Sequence, residues 1–170
     1  VPAEPPALFR ARQAFAPAAD RGVRASEGEL AVFRLHDLHP EGVVGTVEGE
    51  VQVLDLDGQR LATVSASGPV RDLMWLADGT LAVACGSDGL DRIDVDAGTI
   101  VAHADLPGSA LDVDVLGDGR IAVADWSDLR VFEPDDLALL ATEDPSTVDQ
   151  DAALQGLSAR GSQIVAADWQ

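Results

Sequence analysis

The chain reads as an all-β array of repeated four-stranded antiparallel sheets, and three observations carry that reading. First, segments overlay at a spacing of about 40 residues, a period that marks propellers and solenoids. The clearest register is Leu81-Ala82-Val83-Ala84, Ile121-Ala122-Val123-Ala124 and Ile164-Val165-Ala166-Ala167, the last two followed by Asp125-Trp126 and Asp168-Trp169. Second, the apolar runs are separated by Asp78-Gly79, Asp88-Gly89 and Asp118-Gly119, hairpin signals because the turn needs positive φ and Gly supplies it without strain. Third, a sheet of this kind cannot cover both its faces, so each unit must stack on its neighbours. Together these predict a β-propeller built of blades of about 40 residues.

The array occupies 28–170, divided into blades at about 28–67, 68–107, 108–147 and 148–170. In the first blade Leu30 to Leu35 opens, Val43-Val44 falls in the second strand, Glu48-Gly49 turns, and Val51 to Leu56 and Leu61 to Val64 complete the sheet. The second runs Val70 to Leu76, Leu81 to Cys85, Leu90 to Asp96 and Thr99 to Ala104. The third follows the same plan with Leu111 to Leu116, Ile121 to Asp125, Leu129 to Glu133 and Leu137 to Ala141. Leu54, Ile93 and Phe132 align in the third strand, each followed by an acid (Asp55, Asp94, Glu133), so alternate side chains serve opposite faces. The fourth blade holds only Leu154 to Ala159 and Gln163 to Asp168. The expectation is therefore three complete blades and a partial fourth, in a fragment of a longer propeller or in a chain whose ring a second chain completes.

Residues 1–27 form a Pro/Ala-rich N-terminal segment. Pro5-Pro6 precede a stretch that reads as a short helix over Ala7 to Ala16. A start at Val1 followed by Pro2 reads as a processed or cut end.

At 170 residues with 46% hydrophobic content the chain can bury a core within one domain. No apolar run approaches the roughly 18 residues of a membrane-spanning helix, which argues against membrane insertion. Thirty acidic residues stand against 11 basic ones, a net charge of -19. Such a surface repels phosphate backbones and anionic lipid, and suits cations or a basic protein. All 11 basic residues are Arg, while Lys, Asn and Tyr are absent; G/C-rich codon bias and adaptation to high salt both account for this, in a bacterial or archaeal source. Cys85 is alone, which removes any intrachain disulfide or four-thiolate metal site and points to a buried, inert thiol.

The motif Pro69-Val70-Arg71-Asp72-Leu73-Met74-Trp75, with Asp78-Gly79-Thr80-Leu81-Ala82-Val83-Ala84, Asp88-Gly89-Leu90 and Ile93-Asp94-Val95-Asp96, resembles a blade of the WD-repeat-like propellers. It is also similar to bacterial YVTN-type and quinoprotein-like repeats. The resemblance spans about residues 28 to 170 and implies the propeller fold.

Asp72, Asp112 and Gln155 read as one register of the innermost strand in successive blades, with Asp114 on the face of Asp112. In a propeller they lie near the central channel. One use is to hold a divalent cation such as calcium with hard oxygen ligands. The other is to bond backbone amides between blades, as buried polar groups need partners. Trp126 and Trp169 recur after the second strand, and form either an interaction surface or plugs between blades; Trp75 reads as packing. His36 and His39 form a His-x-x-His pair in a loop with Pro40 and without a visible third ligand. His103 stands alone at a strand end, as a surface or rim residue. Asp55 and Asp57, like Asp94 and Asp96, lack the spacing of a calcium-binding loop and read as turn residues.

No Gly-x-Ser-x-Gly, phosphate-binding loop, His-Glu-x-x-His or Cys/His nucleophile pattern is present. The preferred reading is a non-catalytic scaffold that binds another protein, basic in character, through its loop face, with no cofactor. The alternative is an extracytoplasmic propeller enzyme or redox protein, resembling lactonase-like or quinoprotein-like relatives, with a cation or cofactor on the axis. The N-terminus and repeat type point to the periplasm or cell surface, with the cytoplasm as the alternative.

Overall fold

A computed structural model describes residues 30–36, 39–55, 57–126, 128–143 and 154–168, and every named element among them is a β-strand. The first blade comprises β1 (Leu30–His36), β2 (His39–Thr46), β3 (Glu50–Leu54) and β4 (Arg60–Ser65). The second comprises β5 (Asp72–Trp75), β6 (Leu81–Ala84), β7 (Leu90–Asp94) and β8 (Thr99–Ala104). The third comprises β9 (Ala110–Val115), β10 (Ile121–Asp125), β11 (Asp128–Phe132) and β12 (Leu139–Glu143). A two-stranded fourth sheet follows, β13 (Leu154–Arg160) and β14 (Gln163–Asp168). Within each sheet consecutive strands pair antiparallel. The expected helix over 7–16 lies outside the described residues.

The repeat survives at the level of individual pairs. Gly42, Leu81 and Ile121 of the second strands face Leu54, Ile93 and Phe132 of the third. Opposite each of these third-strand residues the outermost strand carries a bulge, between Val53/Leu54, Arg92/Ile93 and Val131/Phe132. The skipped residues are Leu61, Val101 and Leu140, all apolar and exposed. A bulge at this position interrupts the ladder that a foreign strand would otherwise extend.

The core lies between sheets, which is why β6 and β10 are buried along their whole length. Alternate residues of β6 face opposite neighbours. Leu81 and Val83 join Val43, Val51, Val53, Val70, Leu73 and Trp75 between the first two blades. Ala82 and Ala84 join Val113, Ile121, Val123 and Phe132 between the second and third. Gly45 shows how close the sheets come: a Cβ there would lie 2.2 Å from Val70 Cγ1.

Innermost strands pack in the order β1, β5, β9, β13.

Some expected strand bounds shift, as at the innermost strand of the second blade, which begins at Asp72 and not Val70. The outer strand of the third blade begins at Leu139, not Leu137, because Leu137 adopts φ 57 in a turn. Glu133 accepts the Leu137 amide at 3.2 Å and donates its own to the Ala138 carbonyl at 2.9 Å. The matching turns carry Gly58 (φ 77) and Gly98 (φ 69), so the glycine signal is missing where Leu137 stands. Burial of its side chain among Leu76, Leu106 and Phe132 offsets the strain of a left-handed non-glycine residue.

Candidate functional site

Asp72 and Asp112 do share a register, opposite Ala84 and Ala124. The corresponding place in the fourth sheet, opposite Ala167, belongs to Gly156. Gln155 falls one residue earlier because a register shift lies between Leu154 and Gly156; the expected alignment of Gln155 is corrected accordingly.

The inner carboxylates reach from blade to blade. Asp72 Oδ2 accepts the amide of Val113 at 3.2 Å, Asp112 Oδ2 that of Leu157 at 2.8 Å, and Asp114 Oδ2 that of Ala159 at 2.7 Å. Asp112 Oδ1 also takes Val113 N and Asp114 Oδ1 takes Val115 N. β9 and β13 are sheet edges, so their inward-facing amides have no neighbouring strand to bond. Buried amides need acceptors, and carboxylates are strong ones. The bonding of amides between blades is thus visible, and no group of three or more His, Cys, Asp or Glu placed to hold a metal occurs among the described residues.

Two polar networks lie deeper, and sequence reasoning missed both. On β7, Asp91 is fully buried. It accepts Ser67 N at 2.6 Å, Ser67 Oγ at 2.7 Å and the Cys85 thiol at 3.3 Å, and meets His103 Nδ1 at 2.7 Å. Ser67 belongs to the connection between β4 and β5, so this carboxylate ties the interblade link to the second blade. His103, expected to be alone, also faces Asp105 through Nε2 at 3.3 Å. The hydrogen bond to Asp91 raises its pKa above the ordinary value; partial burial opposes the shift and Asp105 adds to it. Burial, reinforced by the Asp91 charge, pushes the Cys85 thiol up to about 12, which makes it inert.

Ser, His and Asp meet here without forming a nucleophile. An activated serine bonds one imidazole nitrogen while the carboxylate holds the other. Ser67 Oγ instead donates to Asp91, and lies 3.4 Å from the same Nδ1 that Asp91 engages.

The third blade places Arg130 at the Asp91 register, opposite Thr142 as Asp91 is opposite His103. Arg130 Nε bonds buried Asp125 at 2.6 Å, while its terminal nitrogens reach Asp128 Oδ2 at 2.5 Å and Thr142 Oγ1 at 3.2 Å. Charge order is reversed between the two blades, but each buried charge has an opposite partner. The first blade has the neutral pair Gln52 and Thr63 there.

Trp126 follows β10 with 54% of its surface exposed. Its main chain joins the third blade to the fourth, donating to Ser109 O and accepting Leu154 N at 3.0 Å. Trp169 lies outside the described residues. Trp75 is buried between the first two blades, in the packing role expected. His36 and His39 are paired strand ends across the β1–β2 connection, not loop residues.

At the end of the blades that bears the β3–β4, β7–β8 and β11–β12 turns, acids recur in register. Asp55 Oδ1 accepts Asp57 N and Gln59 N, Asp94 Oδ1 accepts Ala97 N, and Asp136 Oδ1 accepts Ala138 N. These are turn-forming bonds. Asp57, Asp96, Asp135 and Asp136 remain exposed. Arg92 meets Asp78, Thr80 Oγ1 and the Asp135 carbonyl, and Arg120 meets Asp118 at 2.7 Å, while Arg60 stands exposed opposite Leu54. Exposed acids thus recur at the same turn of three blades.

No protein-family model and no curated protein matches the sequence. Solved structures do match. The WD40 β-propeller domain of Doa1 superposes with a TM-score of 0.73 at 11% identity, over 86% of this chain and 50% of that one. The computationally designed Ika4 protein gives 0.72 at 12% identity, over 86% of this chain and 89% of that one. For the designed Ika8 protein the values are 0.71 and 12%, over 86% of this chain and 45% of that one. The chain has the β-propeller fold and spans about half the length of Doa1 and Ika8 chains.

Proposed function

We propose that this protein is a non-catalytic propeller scaffold that binds another protein, basic in character, through its acidic rim. The observation that carries the reading is the recurrence of exposed acids, Asp57, Asp96 and Asp135, at the same turn of three successive blades in a chain of net charge -19. A rigid array of like charges steers a cationic surface toward it and repels nucleic acid. Propeller domains of the WD40 type, among the structures this fold matches, commonly act as interaction platforms. Ser67 is engaged by Asp91 rather than primed by a base, which fits a protein without turnover.

The test is titration of the full chain with a polyarginine peptide at rising ionic strength. Affinity falls with salt, and the triple variant Asp57→Ser, Asp96→Ser, Asp135→Ser binds about tenfold more weakly, at roughly 0.5 kcal/mol for each exposed charge. Binding indifferent to both salt and the triple substitution would refute the assignment.

A further inference from the structure

We propose that the basic partner is an amphipathic segment, and that its apolar side chains seat on Ile100 and Val101 of β8 and on Leu139 and Leu140 of β12. The inference rests on the reading of the rim as a site for a basic protein, and adds the chemistry that partner must carry.

Four of the seven large apolar residues exposed among the described ones lie at these two places: Ile100 at 38%, Val101 at 49%, Leu139 at 52% and Leu140 at 45%. They are a concentration rather than a scatter, the kind of surface that marks an interaction. Ile100 lies opposite Ile93 and Leu139 opposite Phe132, and cross-strand partners share a face. Ile93 packs in the core between the first and second blades, and Phe132 in the core between the second and third. Both exposed residues therefore stand uncovered beside a neighbouring blade that is in place.

Charge selects the occupant. Each pair opens the outer strand directly after a turn with exposed acids: Asp96 precedes Ile100 and Val101, while Asp135 and Asp136 precede Leu139 and Leu140. β8 itself carries no Asp, Glu or Arg, and β12 carries only Glu143. Apolar side chains next to an anionic turn complement a segment that mixes apolar and cationic side chains. In the first blade the same register holds the exposed Arg60, opposite Leu54, which repels such a segment and confines the surface to the second and third blades. A second copy of the chain is the poorer occupant, since two bodies of charge -19 repel.

The mode of contact follows from the ladder. Bulges opposite Ile93 and Phe132 interrupt strand pairing at this place, so the partner is held by side chains and not by an added strand. The two places also act as one surface. Arg92 Nη1 donates to the Asp135 carbonyl at 2.6 Å, which ties the β11–β12 turn to the second blade. Leu137, buried with Leu76 and Leu106, anchors the same turn. A surface fixed before binding costs less to order.

The experiment is calorimetric titration of the full chain with two peptides of equal charge, one alternating arginine and leucine, the other arginine and serine. The leucine peptide is expected to bind about tenfold more tightly. Its advantage persists as salt rises, because apolar burial is not screened while the arginine contribution is. Val101→Ser together with Leu139→Ser, both at exposed positions, removes the advantage and leaves the affinity of the serine peptide unchanged. Leu61→Ser, in the first blade, alters neither peptide. Equal affinity of the two peptides for the parent chain overturns the proposal and leaves the basic-partner reading intact; failure of both to bind overturns both. An advantage that survives the double substitution, or that disappears with Leu61→Ser, moves the apolar contact elsewhere and overturns it. So does a doubled mass of the chain alone in sedimentation that the double substitution abolishes, which gives the surface to a second copy.

Discussion

Asp91→Ala isolates the energetic consequence of one buried carboxylate. The substitution removes the acceptor of Ser67 N, Ser67 Oγ and the Cys85 thiol, and the partner of His103. Bonds to a charged group contribute about 1.5–3 kcal/mol each, but they do not add when the freed groups can turn to water. Ser67 and His103 are both exposed enough to do so. A loss of about 3 kcal/mol results, close to the cost of breaking a buried charged pair. With a urea dependence of about 2 kcal/mol/M the midpoint falls by roughly 1.5 M. Trp75 packs in the same cluster as Cys85, so tryptophan fluorescence reports the transition. Asp91→Asn keeps the shape and one acceptor oxygen and loses about half as much. If Asp91→Ala unfolded within about 0.5 kcal/mol of the parent chain, the carboxylate would not be what holds the interblade link.

Three further outcomes follow from the same contacts. Asp112→Ala strips the Leu157 amide of its acceptor; hydrogen exchange at that amide accelerates about tenfold for roughly 1.4 kcal/mol, and unchanged exchange would mean that the inner aspartates do not join the blades. Leu137→Gly relieves about 1 kcal/mol of left-handed strain at φ 57 but gives up about 2–3 kcal/mol of buried surface, so thermal stability drops; a gain would show that strain outweighs packing. Because His103 has its pKa raised in the folded chain, its ion pair with Asp91 stabilises fully below about pH 6.5, the unfolded value, and the contribution is lost as pH rises through the folded pKa. The melting-temperature difference between the parent and His103→Gln is therefore larger at about pH 6 than at about pH 9; a difference that grew with pH would contradict the pairing.

Much of the fold was legible because its signals are local. Alternation over a few residues sets which side chains share a face, and Asp-Gly sets where the chain reverses, so strands and repeat register follow from neighbours in sequence. The inner aspartates were legible as a set for the same reason. Where a local signal failed, the assignment slipped: Leu137 occupies a turn that glycine marks in the other blades, and the shift between Leu154 and Gly156 displaced Gln155.

What joins distant residues was decided only by the tertiary structure. Ser67, Asp91 and His103 lie on different segments and meet because antiparallel pairing sets β8 beside β7 while the interblade link folds over both. The chemistry of Arg130 likewise depends on Asp125 and Thr142, which adjacent strands deliver. An isolated Asp or Arg in an apolar strand records only that a charge is buried; the identity of its partner is a property of packing, since burial without a partner would cost more than the fold can sustain.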